Sequence, residues 1–197
     1  MGDSKEHVFW HWFVNHEDAL FTIDAKQRDI LDILAEQLEK VDPDLTFEIG
    51  SNAGGQREFV ITAGGLKRAF SAVEALAVAA PVLPRWKVTK FRPRRSPMTT
   101  IHFAGKTISP NEVETTLLSN GSEIGVYLFF KEYAEGERKI WGQIAYLLLD
   151  EALGEYDVET KVGLIDYMRA DEHSDARRVS ATDLAPWFDE KFASLKQ

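Results

Sequence analysis

The sequence predicts an α+β fold: an antiparallel-rich sheet with helices packed on it. Three observations lead there. Apolar residues recur at three-to-four spacing in some stretches and alternate with polar ones in others. Turn residues, chiefly Gly, Asn and Pro, separate those stretches. One order of elements, two strands, a helix and a strand, is read twice.

Phe9, Trp10, Trp12, Phe13, Leu20 and Phe21 predict a short aromatic-rich helix over 7–20. Asp24 is placed to cap a second helix carrying Ile30, Leu31, Leu34, Leu38 and Val41, and Asp42-Pro43-Asp44 ends it. Leu45–Ile49 and Glu58–Thr62 alternate as strands around a Ser51–Gly55 turn. Gly64-Gly65 opens a helix over 66–80, stopped by Pro81 and Pro84, and Trp86–Arg92 reads as the next strand.

Thr99–Phe103 and Lys106–Ile108 flank Ala104-Gly105 as a small hairpin. Ser109-Pro110-Asn111-Glu112 has the form of a capping box with Pro at the first helical position. Val113–Leu118 and Glu123–Phe130 flank Ser119-Asn120-Gly121, a strong hairpin signal. A helix over 137–153 carries Ile140, Trp141, Ile144, Ala145, Leu148 and Ala152 on one stripe, and Gly154 suits its stop. Thr160–Met168 is a predicted strand. Ser180–Asp183 caps a final helix with Leu184, Trp187, Phe188, Phe192 and Leu195.

The expected organisation is a single domain over 1–197, with two β-β-α-β units as halves at 45–93 and 113–169, two N-terminal helices and one C-terminal helix. With 197 residues, 44% of them apolar, the chain can bury a core without disulfides or metal. It contains no cysteine, which excludes thiol catalysis and Cys-ligated metal sites. A cytoplasmic, soluble protein is expected, because residues 1–20 lack a signal-peptide pattern. No apolar run reaches the roughly 18–20 residues of a membrane span.

The net charge of −9 argues against general DNA binding. Its distribution is uneven. Residues 1–84 sum to −7 and 111–197 to −9, whereas 85–110 hold seven bases and no acid. This island contains Arg85, Lys87, Lys90, Arg92, Arg94 and Arg95. In a right-handed β-α-β crossover, the strand ends and the start of the helix share one edge of the sheet. That geometry predicts an anion site from Gly64, Gly65, Lys67, Arg68, Arg92, Arg94 and Arg95, since helix-start N–H groups and guanidinium forks both favour phosphate or carboxylate. The competing reading is pairing of the island with the chain's own acids.

Asp150, Glu151, Glu155, Asp157 and Glu159 form the densest acidic stretch and a candidate docking surface for a basic partner. Trp10 and Trp12 lie about 200° apart on a helix, so one of them is a candidate partner anchor. His7 and His11 share a helix face, but spacing supplies no third ligand, and neither metal nor cofactor is expected. Neither a nucleophile elbow nor a phosphate-binding loop is present.

Phe9–Phe13, Leu45–Gly50, Arg57–Ala63, Ala80-Pro81 to Trp86-Lys87, and Leu153–Glu159 with Val162-Gly163 resemble a group of bacterial conserved hypothetical proteins without an assigned activity. The resemblance covers most of the chain. It implies a bacterial cytosolic protein and no catalytic residues.

Three functions are open on these residues. The first is a non-enzymatic binding or regulatory protein acting through protein–protein contacts. The second is a sensor of a small phosphate- or carboxylate-bearing anion at the basic edge. The third is a hydrolase or transferase using Glu155, Asp157 or His102 as base.

Overall fold

The computed structural model describes residues 2–23, 28–171 and 176–195. The α+β class holds. Where a single domain is expected, contacts divide the chain into two compact units, Met1–Arg92 and Pro93–Gln197, each with its own apolar core.

In the first unit Ser4 caps α1 (Lys5–Asn15), its hydroxyl accepting from the His7 N–H at 3.3 Å. The expected single helix over 7–20 breaks at His16, after which α2 (Glu17–Phe21) begins. α3 (Arg28–Val41) buries Leu34, Leu38 and Val41 on one face. Asp24, expected as its cap, lies outside the described residues. β1 (Thr46–Ile49) pairs antiparallel with β2 (Arg57–Thr62) across a turn in which Gly54 and Gly55 take φ of 62° and 84°. Only glycine enters that region without a Cβ penalty. A 3-10 turn, Lys67–Ala69, leads into α4 (Phe70–Val78), which crosses over to β3 (Trp86–Lys90), parallel to β2. The core is aromatic. The Phe59 ring meets Phe9, Trp10, Phe13, Phe47 and Trp86 at centroid distances of 5.0 to 6.4 Å.

In the second unit β4 (Ile101–Phe103) and β5 (Lys106–Ile108) form a hairpin. A 3-10 turn, Pro110–Glu112, precedes β6 (Glu114–Asn120), which pairs antiparallel with β7 (Glu123–Phe130). α5 (Arg138–Leu153) then buries Trp141, Ile144, Ala145, Leu148 and Leu149. Gly142 on α5 lets Tyr167 pack closely, because a Cβ there would stand 2.6 Å from the Tyr167 hydroxyl oxygen and the ring would have to shift.

The acidic stretch after α5, expected as a turn and the start of a strand, instead forms α6 (Glu155–Lys161). Gly154 separates the two helices with φ 79° and ψ 144°, a backbone state that is essentially glycine's alone. β8 (Val162–Arg169) runs parallel to β7, β9 (Val179–Ser180) pairs antiparallel with β6, and α7 (Leu184–Ser194) closes the unit. The strand order is β8-β7-β6-β9. Among the described residues, no helix is long and apolar enough to cross a membrane.

Candidate functional site

The expected anion site divides at the unit boundary. Gly64, Gly65, Lys67, Arg68 and Arg92 belong to the first unit, Arg94 and Arg95 to the second. Within the first unit Gly64 and Gly65 do not open the helix as expected but form a turn at φ 57° and 82°, in which the Gly64 N–H donates to Thr62 Oγ1 at 3.0 Å, and Lys67 and Arg68 lie exposed in the 3-10 turn before α4. The site's guanidiniums in this unit are already engaged. Arg68 donates from Nε and an Nη to the two oxygens of Asp44 at 2.5 and 2.8 Å. This fork holds the Asp44 carboxyl below the usual carboxylate range. Arg92 Nε donates to Glu48 Oε1 at 2.5 Å.

The remaining island cations of this unit behave alike. Arg85 grips Glu17 and Asp18, Lys87 pairs with Glu58, and Lys90 with Glu74. The cations of this part of the island thus meet carboxylates spread over residues 17–74 of the same unit.

Arg94 is a structural clamp. It donates to the Leu153 carbonyl at 2.8 Å, to both Asp189 oxygens at 2.8 Å and to Asp157 at 2.7 Å. One side chain therefore ties the end of α5 to α6 and α7, where a cation also suits the helix dipole. The Asp189 hydrogen bonds, then those of Asp157, raise the Arg94 pKa, and Arg94 in turn lowers that of Asp189.

The acidic-surface candidate changes character for related reasons. Glu155 is fully buried, so it cannot form part of a docking surface. Asp157 is engaged by Arg94 and, at 2.7 Å, by Lys161. Glu151 accepts the Thr99 N–H at 2.6 Å and the Thr99 hydroxyl. Asp150 and Glu159 are half-buried.

The partner-anchor candidates are likewise drawn inward. Trp10 is 3% exposed and donates its indole N–H to the Leu76 carbonyl at 2.8 Å. Trp12 is half-buried and stacks on the His16 ring at 4.4 Å. Among the histidines, His7 and His11 are exposed, and His11 Nδ1 lies 3.2 Å from the Asn15 amide nitrogen. His102 is exposed and lies 3.1 Å from the Thr107 hydroxyl. Among the described residues, no group of three or more His, Asp or Glu side chains could hold a metal ion.

Arg95, also of the island, opens onto a cavity. It lines a cleft of about 350 Å³ with Ser96, Pro97, Met98, Thr100, Ser109, Pro110, Asn111 and Thr182. That volume lies within the ordinary range of small-ligand sites. One wall is the 95–100 segment, pinned to α5. The Arg95 N–H donates to the Glu151 carbonyl at 2.8 Å, and Thr99 is held by the Glu151 carboxylate.

The other wall comes from two segments about 70 residues apart. The Ala181 N–H donates to the Val113 carbonyl at 2.8 Å, and Glu114 lies opposite Ser180 in the β6–β9 pair. Ser109, expected as a helix cap, instead donates its hydroxyl proton to Asn111 Oδ1 at 2.6 Å. Ser180 Oγ does take its expected cap role and accepts the Thr182 N–H at 3.3 Å. Chemically the lining offers one guanidinium, four hydroxyls and one amide, with no carboxylate. Pro97, Met98 and Pro110 supply apolar surface between them.

Sequence reasoning identified Arg95 through the charge island. It read Ser109, Asn111 and Thr182 only as local capping residues, and no local signal reveals that β9 brings them together. No family model matches the chain, and no curated protein and no solved structure shows significant similarity to it.

Proposed function

We propose that the chain is a non-enzymatic sensor that binds a small phosphate- or carboxylate-bearing ligand in the Arg95 cleft. The observation that carries this reading is a guanidinium lining a cleft of about 350 Å³ that no carboxylate lines. A guanidinium has five N–H donors in a fixed fork, so it can grip an oxyanion while keeping a neighbour within the protein. Ser96, Thr100, Ser109 and Thr182 would meet hydroxyls of the same ligand, and the apolar patch would meet its C–H faces. A sugar phosphate or hydroxy acid has that combination of groups.

The test is a thermal-shift titration with sugar phosphates, nucleotides and hydroxy acids on the wild type and on Arg95→Ala. A ligand at a hundredfold excess over Kd stabilises its target by about 2.7 kcal/mol. Arg95→Ala should weaken a charge-assisted contact by about 1.5–3 kcal/mol, tenfold or more in affinity. The backbone N–H that holds the loop to Glu151 is untouched by this change. Shifts of equal size in wild type and variant, or no shift with any anion, would refute the reading.

Protein–protein contact is the second reading, and one feature of the first unit favours it. Val78, the last residue of α4, is 86% exposed, and Val82, just beyond Pro81, is 94% exposed. Exposed aliphatic side chains of this kind suit an apolar partner surface. Val82→Asp should leave the melting temperature within about 0.5 kcal/mol of wild type. It should also abolish recovery of partners crosslinked in cells, and unchanged recovery would remove this reading.

A further inference from the structure

β8 forms one edge of the four-stranded sheet, and β9, of two residues, forms the other. The two edges are finished differently. β9 runs straight into the capped turn at Ala181–Asp183. β8 is eight residues long and has neither proline nor lysine, residues that commonly close an exposed edge. Hydrogen-bond parity shows which of its groups point outward, since the N–H and C=O of one residue leave a strand on one side and the side alternates. The Ala170 N–H donates to the Phe130 carbonyl at the end of β7, so Met168 and Asp166 face β7 as well. Ile165, Tyr167 and Arg169 face away. Asp166 Oδ1 accepts the Tyr167 N–H at 2.9 Å. Among the described residues, no group pairs with the outward backbone of Ile165 or Arg169.

The side chains beside this edge differ on its two faces. Ile165 and Tyr167 pack on the core, so Leu164 lies on the opposite face. There Leu118 and Leu164 both stand opposite Gly125, which has no side chain, and they are 45% and 44% exposed. That apolar row ends open at the edge. On the core face α5 forms a shoulder, with Arg138, Gly142, Tyr146 and Asp150 at four-residue steps along one ridge. Arg138 donates to Asp166 Oδ1 at 2.8 Å, and Gly142 lies against Tyr167, which sets the ridge beside β8. Burial, then the charges of Glu159, Tyr167 and Asp150, raise the pKa of the exposed Tyr146, which puts both carboxylates near its ring. α5 connects two parallel strands and so runs antiparallel to β8. The shoulder is therefore basic beside Tyr167 and acidic toward the start of the strand.

We infer that the β8 edge takes up an extended segment of a partner polypeptide as a further strand, one that alternates aliphatic residues with lysine or arginine. The backbone sets the class of partner. Outward N–H and C=O pairs about 6.6 Å apart match another strand and little else. The side chains set its composition. A residue beside Leu164 extends the Leu118–Leu164 row, which suits an aliphatic group. The next residue turns to the core face and, near the start of β8, meets Tyr146 with Asp150 and Glu159, which suits a cation on an apolar stem. A net charge of −9 makes a second copy of this chain the poorer occupant. The incoming strand takes the Tyr167 N–H from Asp166, which keeps Arg138. No residue of the Arg95 cleft takes part, so the inference stands independently of that site.

Amide hydrogen exchange of the intact chain, followed by ¹⁵N NMR, tests it. In the free chain Ile165 and Arg169 should exchange at least about tenfold faster than Asp166 and Met168, which are bonded to β7. The probe is an acetylated and amidated heptapeptide, Thr-Val-Thr-Val-Lys-Val-Lys, written for antiparallel pairing with its lysines toward the start of β8. At millimolar concentration it should slow Ile165, Tyr167 and Arg169 about tenfold or more and leave Asp166 and Met168 unchanged. Glutamate in place of both lysines should weaken binding by about tenfold or more. N-methylation of the peptide amides that face β8 should abolish binding, and N-methylation of the alternate amides should preserve it.

Slow exchange of Ile165 and Arg169 in the free chain overturns the inference, and a dependence on protein concentration would then put a second copy on the edge. No protection by the lysine peptide, equal protection by the glutamate peptide, or equal binding of the two methylated peptides overturns it too.

Discussion

The first unit is organised around aromatic rings and the second around one long helix. Phe59 touches five other aromatic residues, and α1 lays Phe9, Trp10 and Phe13 over the sheet. In the second unit α5 supplies mostly aliphatic side chains to a four-stranded sheet, with Trp141 the one tryptophan on that helix. Both units contain an antiparallel pair followed by a helical crossover to a parallel strand. They differ in what surrounds that arrangement. The first unit uses its exposed cations for ion pairs between neighbouring segments. The second adds the β4–β5 hairpin and the 95–100 and 109–112 loops, and the Arg95 cleft is lined there. The Arg95 cleft is thus built from loops rather than from the sheet, as sites are where a rigid scaffold carries variable connections.

The largest effect that could break this contrast concerns the aromatic hub. Phe59→Ala should cost about 3–5 kcal/mol, with amide exchange rising across residues 2–92. Leu148→Ala, its counterpart on α5, should cost about 2–5 kcal/mol and raise exchange around α5. A Phe59→Ala cost under about 1 kcal/mol would mean that the rings fill space without holding the unit together.

The smallest effect concerns the Arg94 clamp. Arg94 lowers the Asp189 pKa, so the folded state binds fewer protons there than the unfolded one. Its stabilisation is therefore complete above the ordinary aspartate value near pH 4 and is lost as pH falls below it. Asp189 is half-exposed, which limits the contribution to about 1 kcal/mol at most. Asp189→Asn should flatten the acid limb of the urea midpoint between about pH 5 and pH 2. An unchanged acid limb would show that the clamp only positions helices.

Most of the secondary structure was legible because alternation and three-to-four spacing are local signals. α6 was not. Its residues Glu155–Lys161 hold one buried aliphatic side chain, Val158, so periodicity is silent there, and Gly154 was read as a stop alone. Gly154 in fact ends one helix and begins the next.

The site was half legible, for a related reason. Arg95 stood out by charge, but its neighbours Ser109 and Thr182 are set by the β6–β9 pairing. At the expected cluster near Gly64 the cations already hold carboxylates, because Asp44 and Glu48, 24 and 44 residues from Arg68 and Arg92, reach them in the folded chain. Composition counts such partners but cannot say which of them meet.

The pairing of the basic island has a consequence for how the protein separates and how it meets polyanions. Arg85, Arg92 and Arg94 each hold a carboxylate fixed in the same chain. A tethered competitor acts at an effective concentration in the millimolar range or above. Sulfated resins and nucleic acid present their charges from outside and must displace it. The chain should therefore pass through heparin and be held by an anion exchanger, as if its seven-base segment were not there.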